Sequence, residues 1–173
     1  MSEHVAPFRM RPPRAGDLGW VIARHGLLYE QEYGWNIEFE VLVARVATDF
    51  FAGHDPVKER CWIAERDGQN GPENIGSVFL VAHPSRPRVA KLRLLLVEPS
   101  ARGLGVGRSL VTACTNFAIT AGYRTITLWT NSVLVAARGI YEKAGYRIVD
   151  TEAHHSFGKD LVSETWELEL PEG

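Results

Sequence analysis

The sequence predicts one α/β domain over residues 1–173, a mixed central sheet of about seven strands flanked by about four helices. Three observations carry this. Strand-like and helix-like runs follow one another along the whole chain, with no repeat, low-complexity tract or linker to divide them. One run, residues 89–97, is almost continuously apolar from Leu94 onward, as a strand covered on both faces is. A hydrophobic content of 45% in 173 residues supplies one real core and is too little chain for two ordinary domains.

After a short entry around Phe8 and Met10, Asp17 is placed to cap a helix with Leu18, Val21, Ile22, His25 and Leu28 on one side, ending near Gly34. Phe39, Val43, Val46 and Phe50 then recur at helical spacing, until Gly53-His54-Asp55-Pro56 stops the second helix. Residues 60–65 and 75–82 are strand-like, and Asp67-Gly68-Gln69-Asn70-Gly71-Pro72 between them favours a reversal, so they form a hairpin. Residues 89–97 are the next strand. A helix follows over about residues 105–121, with Val106, Leu110, Cys114, Phe117 and Ala121 inward and Gly122 as its stop. Residues 124–129 form a strand, and Val133, Ala137, Ile140 and Ala144 mark a short helix that Gly145 closes. Residues 146–150 and 164–170 complete the set as strands.

Bulk properties exclude several classes of function. Nineteen basic and 21 acidic residues leave a formal charge of -2, so no broad positive field gathers nucleic acid. Cys61 and Cys114 lie far apart without CxxC spacing, which suggests neither a disulfide framework nor a zinc site. No apolar signal core or 18-residue apolar run occurs, so a cytoplasmic protein without membrane contact is expected. His154 and His155 are not read as metal ligands, because adjacent strand residues face opposite ways and no partner spacing accompanies them.

The richest motif is Arg102-Gly103-Leu104-Gly105-Val106-Gly107-Arg108-Ser109, where a strand becomes a helix. Glycines there let backbone N–H groups approach an anion at the positive end of the helix dipole, and Arg102 and Arg108 add charge. A dinucleotide fingerprint would need glycine at Arg108 or Leu110, and a P-loop would need Gly-Lys-Ser/Thr, so both templates fail.

The motif resembles the R/Q-x-x-G-x-G/A signature of the GNAT superfamily of acyl-CoA N-acyltransferases, with Arg102, Gly105 and Gly107 at its positions. The strand before it, the helix after it and Ile140-Tyr141-Glu142-Lys143-Ala144-Gly145-Tyr146 follow in the superfamily's order. The likeness spans roughly residues 8–170 and is strongest over 92–146. More narrowly, Lys91-Leu92-Arg93-Leu94-Leu95-Leu96 and His154-His155-Ser156-Phe157-Gly158 resemble GNAT domains fused behind a MarR-type winged-helix regulator, a DNA-binding half for which this chain leaves no room.

The resemblance implies acetyl-CoA as cosubstrate and no metal. It implies that backbone groups of Leu95, Leu96 and Val97 pair with the pantetheine arm, while Arg102 to Ser109 hold the pyrophosphate. Tyr141 aligns with the tyrosine that many members use as general acid toward the departing thiolate. Many relatives carry asparagine seven residues before that tyrosine, where this chain has Leu134. Asn131, three residues earlier, has two readings, a helix cap or a cofactor contact.

On the acceptor side, alternation aims Lys91 and Arg93 either at a substrate carboxylate or phosphate, or at solvent from a charged strand end. Tyr29, Tyr33, Trp35 and Phe39 fall in the superfamily's variable acceptor-binding segment and serve either as pocket wall or as helix packing. His155 is a further acceptor-side candidate. No general base is singled out among Glu30, Glu32, His83, His154 and His155, and a water chain is an alternative. The expected activity is acetyl transfer to a primary amine of a small molecule by direct attack in a ternary complex. The alternatives are an acyl-CoA sensor with little turnover and a protein N-acetyltransferase; a homodimer is compatible with either.

Overall fold

The computed structural model describes residues 6–172. In chain order the elements are β1 (Arg9–Arg11), α1 (Asp17–Tyr33), α2 (Ile37–Gly53), β2 (Arg60–Gly68), β3 (Gly71–Ala82), β4 (Val89–Val97), α3 (Val106–Thr120), β5 (Thr125–Asn131), α4 (Val135–Lys143), β6 (Arg147–Ser156) and β7 (Lys159–Glu169), with a 3₁₀ turn at Pro99–Ala101. The strands form one seven-stranded sheet in the order β1-β2-β3-β4-β5-β7-β6. Every neighbouring pair is antiparallel except β4 and β5, which makes the sheet mixed as expected.

Period-two alternation in the sheet creates two cores, one on each face. Ala64, Val78, Leu80, Leu92, Ile126 and Trp166 face α3, which presents Val106, Leu110, Val111, Cys114 and Ala118. Ile63 and Phe79, one residue out of phase, face α1 and α2, which present Val21, Phe39, Val43, Ala47 and Phe50. The free thiols Cys61 and Cys114 are buried, one in each core.

Several elements differ from the sequence reading. The last two strands are longer than expected and form one long hairpin, whose Ser156↔Lys159 end surrounds the left-handed pair Phe157 and Gly158. That hairpin is polar on its outer strand, so hydrophobic alternation does not mark its full length. Val133 and Ala144 are exposed because α4 is too short to include them; Leu134, Ala137 and Tyr141 make its inward contacts instead.

Asp17 does not cap α1 with its side chain. Gly16 is the cap residue, without a side-chain bond, and Asp17 turns inward to a buried cluster. Its carboxylate accepts from Arg11 at 2.7 and 3.0 Å, from the Arg14 amide at 2.7 Å and from Asn74 at 3.0 Å. Arg11 also donates to Glu65 at 2.7 Å, so β1, β2, β3 and the start of α1 meet at one guanidinium. Burial alone would raise the Asp17 carboxyl, but the bonds from Arg11, the Arg14 amide and Asn74 outweigh it and hold it below its ordinary value. Hydrogen bonding to Arg11 likewise lowers Glu65.

Both carboxyls therefore add stability that is complete above their unfolded pKa of about 4 and is lost as pH falls through the lower folded values. Urea unfolding should show wild-type stability declining below about pH 4. Asp17→Ala should cost about 3 kcal/mol at pH 7 and flatten that decline.

Candidate active site

The parallel pair β4–β5 is hydrogen-bonded only through Val89↔Thr125, Ala90↔Ile126 and Lys91↔Thr127. Beyond Lys91 the strands part, while β5 continues along β7 as far as Asn131↔Ser163. A bulge explains where β4 turns away. Its pairing with β3 skips between Arg93↔Phe79 and Leu96↔Ser77, and Leu94 sits at φ 53, a left-handed conformation that a leucine adopts only under constraint. Ser77 Oγ secures the bulge by donating to the Leu94 carbonyl at 3.1 Å. From Arg93 to Val97 the β5-facing amides and carbonyls of β4 thus have no strand partner.

The splay opens into a cavity of about 130 Å³ whose walls include His25 and Tyr29 of α1, Trp35, Phe39 and Leu42, the 91–95 segment of β4, Trp129 to Asn131 of β5, and Tyr141. Aromatic rings line one side: Tyr29 lies 4.5 Å from Phe39 and 5.1 Å from Trp35, centroid to centroid. Tyr29 and Trp35 are therefore both pocket wall and helix-junction packing, the two readings the sequence left open. Lys91 and Arg93 reach the cavity wall and are half-buried rather than solvated. Burial, then the neighbouring Arg93, lowers Lys91; burial lowers Arg93, with Asp49 opposing.

At the far end of β4, the 3₁₀ turn leads into the glycine loop. Gly103 (φ 85) and Gly105 (φ 80) occupy left-handed conformations that cost a side-chain-bearing residue about 1–2 kcal/mol. Gly107 is there for another reason, since a Cβ on it would stand 2.6 Å from Ile140 Cδ1, where α3 meets α4. The first amide to enter the α3 ladder is Ser109, which donates to the Gly105 carbonyl at 3.0 Å. The amides of Gly105, Val106, Gly107 and Arg108 are consequently the free donors of the helix N-terminus. Two ion pairs tie this region to α1: Arg24 with Glu98 at 2.5 Å, and Arg102 with Glu32.

Tyr141 is buried on the second turn of α4, beside both Tyr29 and Cys114, and burial raises its phenol far above the ordinary value. It stays protonated, a donor at any working pH. Arg138 anchors α4 to β7 by donating to both oxygens of Glu164, at 2.7 and 3.1 Å.

With that geometry in place, comparison with known proteins gives a match to the acetyltransferase (GNAT) family over residues 27–146, more than half of the chain. The chain belongs to that family. Human N-acetylaspartate synthetase is 32% identical over 54% of this chain and 30% of its own length. Mycothiol acetyltransferase of Cellulomonas flavigena is 33% identical over 49% of this chain and 25% of its own. The chain thus spans about a third or less of the length of these relatives. An acetyltransferase structure from Salmonella typhimurium, solved with its cofactor acetyl-CoA, superposes with a TM-score of 0.73 over 96% of this chain and 95% of its own, at 15% identity.

As for the remaining sequence candidates in this GNAT domain, Asn131 is not a helix cap: Leu134 holds that position, without a side-chain cap. Asn131 is buried at the end of β5, lines the cavity, and accepts from His154 Nε2 at 2.8 Å, while Ser156 Oγ donates to His154 Nδ1 at 2.9 Å. His155 points the other way, as strand alternation requires, and pairs with Asp160 at 2.8 Å outside the cavity. Among the proposed bases, Glu32 is engaged with Arg102, Glu30 is exposed, and His83 accepts from the Ser85 and Arg86 amides in the turn before β4.

Sequence reasoning did not assign His25 or Trp129 to the cavity, nor foresee that His154 supports Asn131 from behind. His25 was visible only as part of an inward helical stripe. Its position in the cavity depends on where α1 crosses the splay, which no spacing encodes.

His154→Ala should leave the buried Asn131 carbonyl oxygen unpaired and lower stability by about 1–3 kcal/mol in denaturant titration. His154→Gln, which can donate the same bond, should recover part of that loss.

Proposed function

We propose that this protein is an acetyl-CoA-dependent N-acetyltransferase that acts on a primary amine of a small molecule by direct attack in a ternary complex. The observation that carries the reading is the unpaired edge of β4 running straight into a helix N-terminus with four free amides. A pantetheine arm is an amide-bearing chain that pairs with such an edge, and its pyrophosphate is the anion that such an end takes. Leu95, Leu96 and Val97 would bind the arm through backbone, while Gly103, Leu104, Gly105, Val106, Gly107, Arg108 and Ser109 would surround the phosphates, with Arg102 alongside. Beyond Arg108 a groove of about 580 Å³ between α3 and α4, lined also by Thr112 and Lys143, gives the remainder of coenzyme A a basic wall.

Acetyl-CoA would enter as a substrate bringing the activated thioester. The β4 edge would fix its carbonyl opposite the aromatic wall, and Tyr141, held neutral by burial, would hand a proton to the thiolate as it leaves. Asn131, steadied by His154, presents its amide to the same space as a cofactor contact. Tyr29, Trp35, Lys91 and Arg93 would meet the acceptor. Direct attack is favoured because neither thiol is available: Cys61 and Cys114 are buried, and burial raises both.

In an amine panel followed by thiol release, Tyr141→Phe should lower kcat about 100-fold with little change in affinity for coenzyme A. Tight coenzyme A binding without acceptor-dependent thiol release by the wild type would overturn catalysis in favour of sensing. Gly105→Ala should weaken coenzyme A binding by roughly tenfold or more in calorimetry, since the loop would have to abandon its left-handed turn.

A further inference from the structure

Among the polar groups around the cavity above the splay are two cations and a histidine for which the described residues supply no partner. Arg93 and Lys91 line it two residues apart on β4, and no aspartate or glutamate is among the residues around it. Asp49 is near enough to favour the Arg93 charge but forms no ion pair with it. Two half-buried cations side by side repel one another and lose hydration, a cost that an anion between them relieves.

The third group is His25. Its Nδ1 lies 2.7 Å from the Val21 carbonyl, which can only accept, so Nδ1 carries the proton and Nε2 is a bare lone pair. Nε2 is fully buried and has no partner. Burial holds the ring down to about 4, so it is a neutral acceptor at working pH.

The unspent capacity therefore includes a pair of donors carrying positive charge and one acceptor, beside a wall made of the Tyr29, Trp35 and Phe39 rings with Leu42 and Val46. At about 130 Å³ the cavity is small beside the roughly 300–1,000 Å³ typical of pockets for drug-sized ligands, which suits a small molecule. A polyamine would meet two like charges and no carboxylate.

We infer that the acceptor is a small amino acid with an apolar side chain, its carboxylate held by Arg93 and Lys91, its side chain against the aromatic wall and its amine directed at His25 Nε2, which a small shift of the surrounding rings would uncover. This deepens the acetyl-transfer reading and rests on it only for the fate of the amine, not for binding. The adjacent cations also favour the neutral amine, the form that attacks a thioester.

Calorimetry in saturating coenzyme A separates the contributions. L-leucine, L-valine or L-phenylalanine should bind, and 4-methylpentanoate, which keeps the carboxylate and tail of leucine without its amine, should bind as well. L-leucinamide and spermidine should bind at least tenfold more weakly than L-leucine. Arg93→Gln should weaken 4-methylpentanoate at least tenfold without lowering Tm or coenzyme A affinity, because the guanidinium holds nothing in the free protein; Lys91→Gln serves as the second variant. His25→Phe should weaken L-leucine several-fold and leave 4-methylpentanoate unchanged. Binding of spermidine or L-leucinamide as tight as that of L-leucine overturns the assignment. So does unchanged 4-methylpentanoate affinity in both β4 variants, or no binding by any of the three amino acids. Binding without thiol release from acetyl-CoA would instead count against the transferase reading and leave the ligand assignment standing.

Discussion

Everything at the site depends on two parallel strands ceasing to pair after three residues. Had β4 and β5 stayed together beyond Lys91, the backbone groups from Arg93 to Val97 would be spent in the sheet and the cavity would be closed by it. The bulge at Leu94 is what enforces the separation. A leucine at positive φ is strained in isolation, and here β3 holds it in place through Ser77. The same departure leaves Leu94 and Leu95 only half-buried, in contrast to Leu92 and Leu96 on either side. Core burial is given up locally in exchange for an edge that can recognise another chain-like molecule.

The two ends of that edge use different physics. At the loop the groups on offer are backbone: positive-φ glycines expose amides, and the dipole of α3 gives them a common sign. At the other end the groups on offer are side chains, cations and aromatic rings around a small volume. A backbone site tolerates varied side chains around it, whereas a side-chain site is specific to its residues. The proposed donor and acceptor sites are in this way separable within one strand.

That distinction also governs what could be read from sequence. The loop motif and the strand 89–97 were legible to the residue, because glycines at fixed spacing and a continuous apolar run each leave a local mark. The order of strands and helices was equally plain. The bulge was not, since Leu94 looks like any other core leucine, and neither was the splay it produces. A cap was one of two readings of Asn131 because asparagine is common there; its bond to His154 spans 23 residues and depends on the long β6–β7 hairpin. Asp17 misled for the same reason, its partners lying on β1, on β3 and in the loop before α1. Long-range polar pairing leaves no periodic trace.

The two ion pairs from α1 to the loop give the molecule a mechanical linkage. Arg24 grips Glu98 and Glu32 grips Arg102, both ahead of the glycines, so the helix that carries His25 and Tyr29 is clamped to the segment that leads into the glycine loop. In the function proposed above, an incoming pyrophosphate would compete with Glu32 for the same guanidinium. The arrival of one substrate would then change the load on the wall that shapes the pocket for the other, and order of addition would follow from the scaffold.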